Sequence, residues 1–280
     1  MRPLADDLLL AIALIPAAFV PPLIYVYIIR NSETYNKEPW FGLLLTFLWG
    51  ATIAIIVSIL LETLATSVLY HELSPLTRGF WNFEPYDVVL ETIILACIVA
   101  PVVEESAKAS GIRRRRLKEK EDGMVYGAAV GLGFAASENV LYLVSALAGS
   151  TETFVATAVL RAVTSTFLHA SASAIVGYGI SKVPRKLTPE QKALIKKITK
   201  QEPAFMKKQG MRTSWLPYLG LAILIHALFN LFASFGDLVE ASELAFAFLG
   251  LVLAFGLALG AFVTIYNRIR KLDLPAGFYQ

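Results

Sequence analysis

An all-α integral membrane protein, a bundle of about seven transmembrane helices with one more helix lying at the cytoplasmic surface, is the fold class predicted by the 280-residue chain. Three observations predict it. Residues of the AVILMFWYC set make up 56% of the chain against 17% charged, and the mean hydropathy is +0.60, too apolar for an ordinary soluble domain. Apolar stretches of about 20 residues, the length that crosses a bilayer, recur at 8–29, 41–62, 88–111, 124–147, 154–180, 215–235 and 243–266. Of the 25 lysines and arginines, 21 fall in the four segments 30–39, 112–123, 181–214 and 267–280. Because cytoplasmic loops carry the basic excess, those segments are expected in the cytoplasm of a cell-membrane protein, with the amino terminus outside and the carboxyl terminus inside.

Taken in order, the first span carries Pro16, Pro21 and Pro22 where a cleavable signal has a short apolar core, and it reads as a retained helix. Segment 63–87, with Pro75, Trp81, Phe83, Pro85 and Tyr86, has the aromatic content of an outer interface loop. Gly127 with Gly131, and Gly256 with Gly260, have the small-xxx-small spacing of close helix packing. The basic amphipathic loop 181–214 is expected in the cytoplasm, where Thr188-Pro189-Glu190 starts a helix over 187–201 that rests on anionic lipid headgroups. Residues 1–280 therefore read as a single polytopic membrane domain. A net charge of +3 leaves little attraction for a polyanion, so no nucleic acid partner is expected. Cys97 is the sole cysteine, which excludes an intramolecular disulfide and a multi-thiolate zinc site.

Ionisable groups inside spans are costly and mark function. The third span ends in Glu104, Glu105 and Lys108, the fourth carries Glu138 beside Asn139, the fifth His169, and the sixth His226 and Asn230. At ~1.5 Å per residue, their depths run from about 11 Å for Glu104 to about 22 Å for Asn230, one central slab. A lone intramembrane histidine more often just bonds one helix to another, but two of them level with three carboxylates argue for a common site. Simpler roles suit the neighbours. Lys108 is expected to pair with a glutamate one turn away, and Arg161 to snorkel or meet Glu62 or Glu91. His71 reads as solvated, and Arg113 to Arg116 as a headgroup anchor.

Hydrolysis of a peptide bond in a bilayer needs an activated water, an acid for the leaving amine, and a metal or fixed donors for the oxyanion. Glutamate and histidine supply these. There is no HExxH, no GxSG and no GxGD motif in the chain. Two histidines and a carboxylate make an accepted zinc set with a position open for water, and His226 and Asn230, four apart, address one face. Ser165 and Ser173 read as hydrogen-bonding partners of the His169 helix. A proton-coupled transporter or channel is the rival use of such a cluster, although no repeated halves are visible. A seven-helix retinal protein lacks its lysine in the last span.

EESAK at 104–108, FAASEN at 134–139, HASASAIVG from His169 to Gly177, and HALFN at 226–230 resemble, in order, the four motifs of the PrsW intramembrane proteases; 24–40 is also similar to their first cytoplasmic loop. The resemblance implies a membrane-embedded metalloprotease, of the superfamily that includes the CAAX prenyl endopeptidases, that cuts a membrane-anchored protein. With it, Glu104 or Glu105 is expected as general base and Asn230 at the oxyanion, and Glu138, His169 and His226 around a divalent metal, with zinc the leading candidate. The prenyl endopeptidases are similar in their double glutamate and later HxxxN, but their second motif ends in histidine where this chain has Glu138. A metal-independent glutamate mechanism therefore stays open.

Overall fold

A computed structural model describes residues 4–81, 93–183, 197, 214–235 and 244–273, and it is a bundle of α-helices with no strand among them. Helix α1 runs Leu4–Arg30. Helix α2, Trp40–Trp49, passes through a π turn at Gly50–Ala54 into α3, Ile55–Trp81. A second π turn, Leu95–Val99, leads into α4, Ala100–Ile112. Then come α5, Lys120–Leu147; α6, Thr151–Val163; α7, Ser165–Ser181; α8, Leu216–Ala233; and α9, Leu244–Leu272.

Six helical stretches are long and apolar enough to cross a membrane: Leu8–Arg30, Trp40–Leu69, Lys120–Leu147, Thr151–Ser181, Leu216–Ala233 and Ala245–Leu272. The remaining expected span, 88–111, is helical over its described part, where Glu104, Glu105 and Lys108 lower its apolarity. Leucines, isoleucines and phenylalanines such as Leu9, Ile12, Phe41 and Phe248 stand exposed around the bundle, the surface that lipid tails cover.

Three expectations change. The outer loop from residue 63 is helix as far as Trp81: ETLATSVLYHEL contains no glycine or proline to end it, and the helix continues past Pro75 and Gly79. The span 154–180 is interrupted at Thr164, whose φ −117° and ψ −83° are not helical. Gly256 and Gly260 have nothing within 4 Å of where a Cβ would stand, so the described helices do not meet there; α9 packs instead through Ala254, Ala258, Phe262, Ile265 and Ile269. The interfacial helix of 187–201 lies outside the described residues, Lys197 apart.

The centre of the bundle is the pair α5 and α7. Every residue of α5 from Glu121 to Ala136, and of α7 from Ser165 to Ala174, is buried. Main chains touch along this seam: a Cβ on Gly127 would stand 2.3 Å from the Ser173 carbonyl oxygen and one on Gly131 2.1 Å from that of His169. The expected small-residue packing of Gly127 and Gly131 is thus a backbone-to-backbone contact that only glycine permits.

The polar segment after α1 ties one end of the bundle together. The N–H groups of Thr34, Tyr35 (3.0 Å) and Asn36 (3.3 Å) converge on the Asp273 carboxylate. Asn36 Nδ2 donates to Glu119, and Ser181 Oγ donates to the Lys120 carbonyl. Described residues of all four basic segments therefore meet at the same end. Here burial pushes Glu33 up to about 8 and Glu38 up to about 7. Glu38, Asp122 and Asp273 face Glu33 and raise it further, while for Glu38 the Tyr126 hydroxyl and Lys118 oppose burial and Asp122 reinforces it. Both carboxyls keep protons in the folded chain at a pH where the unfolded chain has lost them. The folded state therefore binds more protons between about pH 4.5 and about pH 8 and loses stability as pH rises through that window. Melting in detergent is expected to fall steadily from pH 5 to 8, and less steeply in Glu33→Gln. A melting temperature that rises with pH would contradict the burial of these carboxyls.

Candidate active site

The EESAK turn of α4 places Glu104, Glu105 and Lys108 on one face, turned into the bundle. Lys108 is fully buried, and its ammonium donates to Glu104 Oε2 and Glu105 Oε1, both at 2.9 Å, as expected, and to His169 Nδ1 at 2.8 Å. Phe134 covers the ammonium with its ring, 3.9 Å from the centroid. Since His169 Nδ1 accepts from Lys108, the ring proton is assigned to Nε2, which donates to Glu138 Oε2 at 2.8 Å. His226 from α8 bonds through Nδ1 to Glu105 Oε1 at 3.1 Å, the carboxylate accepting, and its Nε2 stands 3.9 Å from Glu104 Oε2. The two imidazoles stand edge to face, 5.0 Å between centroids. Ser173 donates to Glu105 Oε2 at 3.2 Å and Ser165 to Glu138 Oε2 at 3.4 Å, the partner roles expected of them.

All five acidic and imidazole groups anticipated from the spans thus come to one place. The region of the chain over 38–259 matches the family model of the PrsW family intramembrane metalloproteases. The chain belongs to the PrsW family. Two Protease PrsW sequences are similar to it: that of Clostridioides difficile (strain 630) is 34% identical over 170 residues, 59% of this chain and 63% of the relative. That of Geobacillus kaustophilus (strain HTA426) is 30% identical over 170 residues, 61% and 66% respectively. The chain thus spans a little under two thirds of the length of these relatives. No solved structure matches it.

Within this cluster of the PrsW-family chain, the adjacent glutamates part company. A cavity of about 550 Å³ is lined by Glu104, Glu138, Arg161, His169 and Asn230, together with Ser58 and Glu62 of α3. Glu105 and His226 lie behind that wall, Glu105 with no exposure. Asn230 faces the cavity, yet one amide hydrogen is committed: Nδ2 donates to the Ala96 carbonyl of the second π turn at 2.6 Å. Its other amide hydrogen remains.

Arg161 is where the sequence misled. It meets Glu138, not Glu62, with Nη2 at 2.6 Å from Oε2, and also donates to Asn139 and Ser165; Glu91 lies outside the described residues. Glu138 thereby serves Arg161 and His169 at once. Nothing in the spacing of 138 and 161 signals this, because the pair forms across the α5–α6 packing. Ser58 was silent in the sequence, a lone hydroxyl among apolar neighbours, and neither Glu62, considered only as a partner for Arg161, nor Phe134, the first residue of FAASEN, was read as lining the site.

The donors suit the metal that the family description implies. Glu104, Glu105, His169 and His226 each offer a ligand atom within 4.8 Å of the others, and all four are buried. Two imidazoles with carboxylates are a zinc-type set. Lys108 acts as a stand-in cation, showing that three of the four already converge on positive charge.

Proposed function

We propose that the chain is an intramembrane peptidase that hydrolyses a peptide bond of a membrane-anchored protein. The observation that carries this reading is the buried Glu104–Glu105–Lys108–His169–His226 cluster opening, through Glu104 and His169, onto a 550 Å³ cavity inside the spans. Membership of a metalloprotease family supports it, and nothing in the geometry favours the transporter or channel.

In this mechanism Glu104, the glutamate on the cavity wall, takes a proton from water as its oxygen attacks the scissile carbonyl carbon. The free amide hydrogen of Asn230 meets the developing oxyanion. Glu104 then returns its proton to the amide nitrogen as the C–N bond breaks, leaving a carboxylic acid and an amine. His169, His226 and Glu105 would hold a divalent ion, zinc by donor type, and Glu138 would orient His169 through Nε2–H. When bound, such an ion supplies a fixed positive charge that favours ionisation of water and offsets charge on oxygen. The test is cleavage of a single-span protein by the purified chain in lipid vesicles. Chelation is expected to stop it and zinc to restore it. Full activity in chelator would overturn the metal, and no cleavage with zinc present would overturn the peptidase.

We further place the amino terminus outside and the basic end in the cytoplasm, on the strength of the charge distribution. Arg114 over Trp49, 4.1 Å from the ring centroid, supports an anchor in an anionic headgroup layer. A cysteine replacing Lys118, in a chain lacking Cys97, is expected to react with an impermeant reagent only after cells are opened. Labelling of intact cells would reverse the orientation.

A further inference from the structure

Hydroxyl side chains along the α2–α3 run bond back to their own helix. Thr46 donates to the Gly42 carbonyl, Thr52 to Leu48, Thr63 to Ile59, Thr66 to Glu62 and Ser67 to Thr63, at 2.6 to 2.9 Å. This is how a bilayer-spanning helix keeps a hydroxyl satisfied. Ser58 breaks the pattern. It is 1% exposed, and its Oγ has no hydrogen-bond partner among the described residues. One turn later Glu62 does the same, with Oε1 buried and unpartnered. Both line the cavity that Glu104, His169 and Asn230 share. Two unmet polar groups on one helical face of an active cavity call for a polar ligand, because an unpaired buried group is costly.

We propose that Ser58 and Glu62 receive the main chain of the substrate beside the bond to be cut, Glu62 accepting from a backbone N–H and Ser58 donating to a backbone carbonyl. The inference rests on the peptidase reading and adds its binding subsite. A membrane-spanning substrate satisfies its own amides only while helical, and a scissile bond is reached only when that helix opens. Each freed N–H and C=O then needs a protein partner, since lipid supplies none. The spacing allows that task. Positions four apart on a helix are separated by about 6 Å along its axis, while on one edge of an extended chain N–H groups recur every second residue, at about 6.6 Å, with a carbonyl between them, a difference within the reach of the long Glu62 side chain. One turn of α3 can thus read two successive groups along one edge of an opened strand.

The experiment measures kcat and KM for a single-span substrate and for copies in which one backbone N–H near the scissile bond is replaced by an ester oxygen. Glu62→Leu is expected to raise KM at least tenfold and Ser58→Ala about threefold, with kcat held within about twofold. Glu62→Gln, which keeps an acceptor but loses the charge, raises KM about threefold. One ester position raises KM for the wild-type chain about tenfold and adds nothing further in Glu62→Leu, the non-additivity of a shared contact. Melting temperature holds or rises in Glu62→Leu, since an unpartnered carboxylate has gone. Should that variant not fold, the ester series on Ser58→Val carries the same cycle through the neighbouring carbonyl. The proposal is overturned if Glu62→Leu leaves KM unchanged, if Glu62→Gln loses as much as Glu62→Leu (a subsite for a basic side chain), or if every ester effect adds in full. A wild-type chain that cuts nothing overturns the peptidase reading and this subsite together, whereas normal cutting by the variants overturns the subsite alone.

Discussion

Glu104→Gln is expected to slow cleavage of a single-span substrate by a factor of about 10² to 10⁴, the usual cost of losing a general base, while metal content and melting temperature hold. The amide that replaces the carboxylate still turns an oxygen towards Lys108, and the ammonium keeps its bond to Glu105 at 2.9 Å. The neighbouring substitution has a different signature. Glu105 has no exposure and accepts from Lys108, His226 and Ser173. Glu105→Ala takes one of two carboxylates from the buried Lys108 ammonium, which keeps Glu104, and strands the His226 Nδ1–H; breaking a buried pair costs about 3–5 kcal/mol. It is expected to lower the melting temperature and to lose metal as well as activity. Activity, metal analysis and thermal melting on the two purified variants decide it. If Glu104→Gln cuts at the wild-type rate, or loses metal as Glu105→Ala does, the division into a cavity-facing base and a buried holder is wrong.

That division was beyond the sequence for a geometric reason. Adjacent residues on a helix differ by about 100° in direction, and which of Glu104 and Glu105 meets the cavity depends on the rotation of α4 against α5 and α8. What the sequence does encode is depth. Spans fixed by apolar length put Glu104, His169, His226 and Glu138 in one slab, and since four helices must pack, level polar groups have little choice but to meet. Direction around each helix axis is set by packing, and packing is where reading failed. Arg161 lies on the same broken span as His169, and its partner Glu138 became apparent only when α5 and α6 were brought together. Gly127-xxx-Gly131 and Gly256-xxx-Gly260 are identical as patterns, yet one forms a seam and the other meets no described atom. Small residues permit close approach without requiring it. Ser58 escaped notice, and Glu62 was read only as a partner for Arg161, because their mark is a missing bond, and a missing bond has no sequence.

The two glycine pairs supply the second large effect. A Cβ on Gly131 would stand 2.1 Å from the His169 carbonyl oxygen and 2.6 Å from its carbonyl carbon, backbone atoms that cannot swing aside. Gly131→Ala must therefore push α5 and α7 apart, and they are the two most buried helices of the bundle. Overpacking of this kind costs about 1–3 kcal/mol and more where the backbone has to move, so the variant is expected near the upper end of that range. The strain falls on His169, whose imidazole the proposed mechanism uses. A shift of about 1 Å in a catalytic group costs on the order of 10²-fold in rate, and cleavage is expected to fall by that much even in the fraction that remains folded. Gly256→Ala is the control. Its Cβ enters open space, and alanine is the better helix former by about 0.8–1.0 kcal/mol, so stability is expected to hold or rise with cleavage unchanged. Melting curves and turnover of the two variants, measured side by side in the same detergent, test the assignment. If Gly131→Ala is as stable and active as the wild-type chain while Gly256→Ala is not, the close seam lies on α9, and the α5–α7 contact is not what fixes His169 against Glu138.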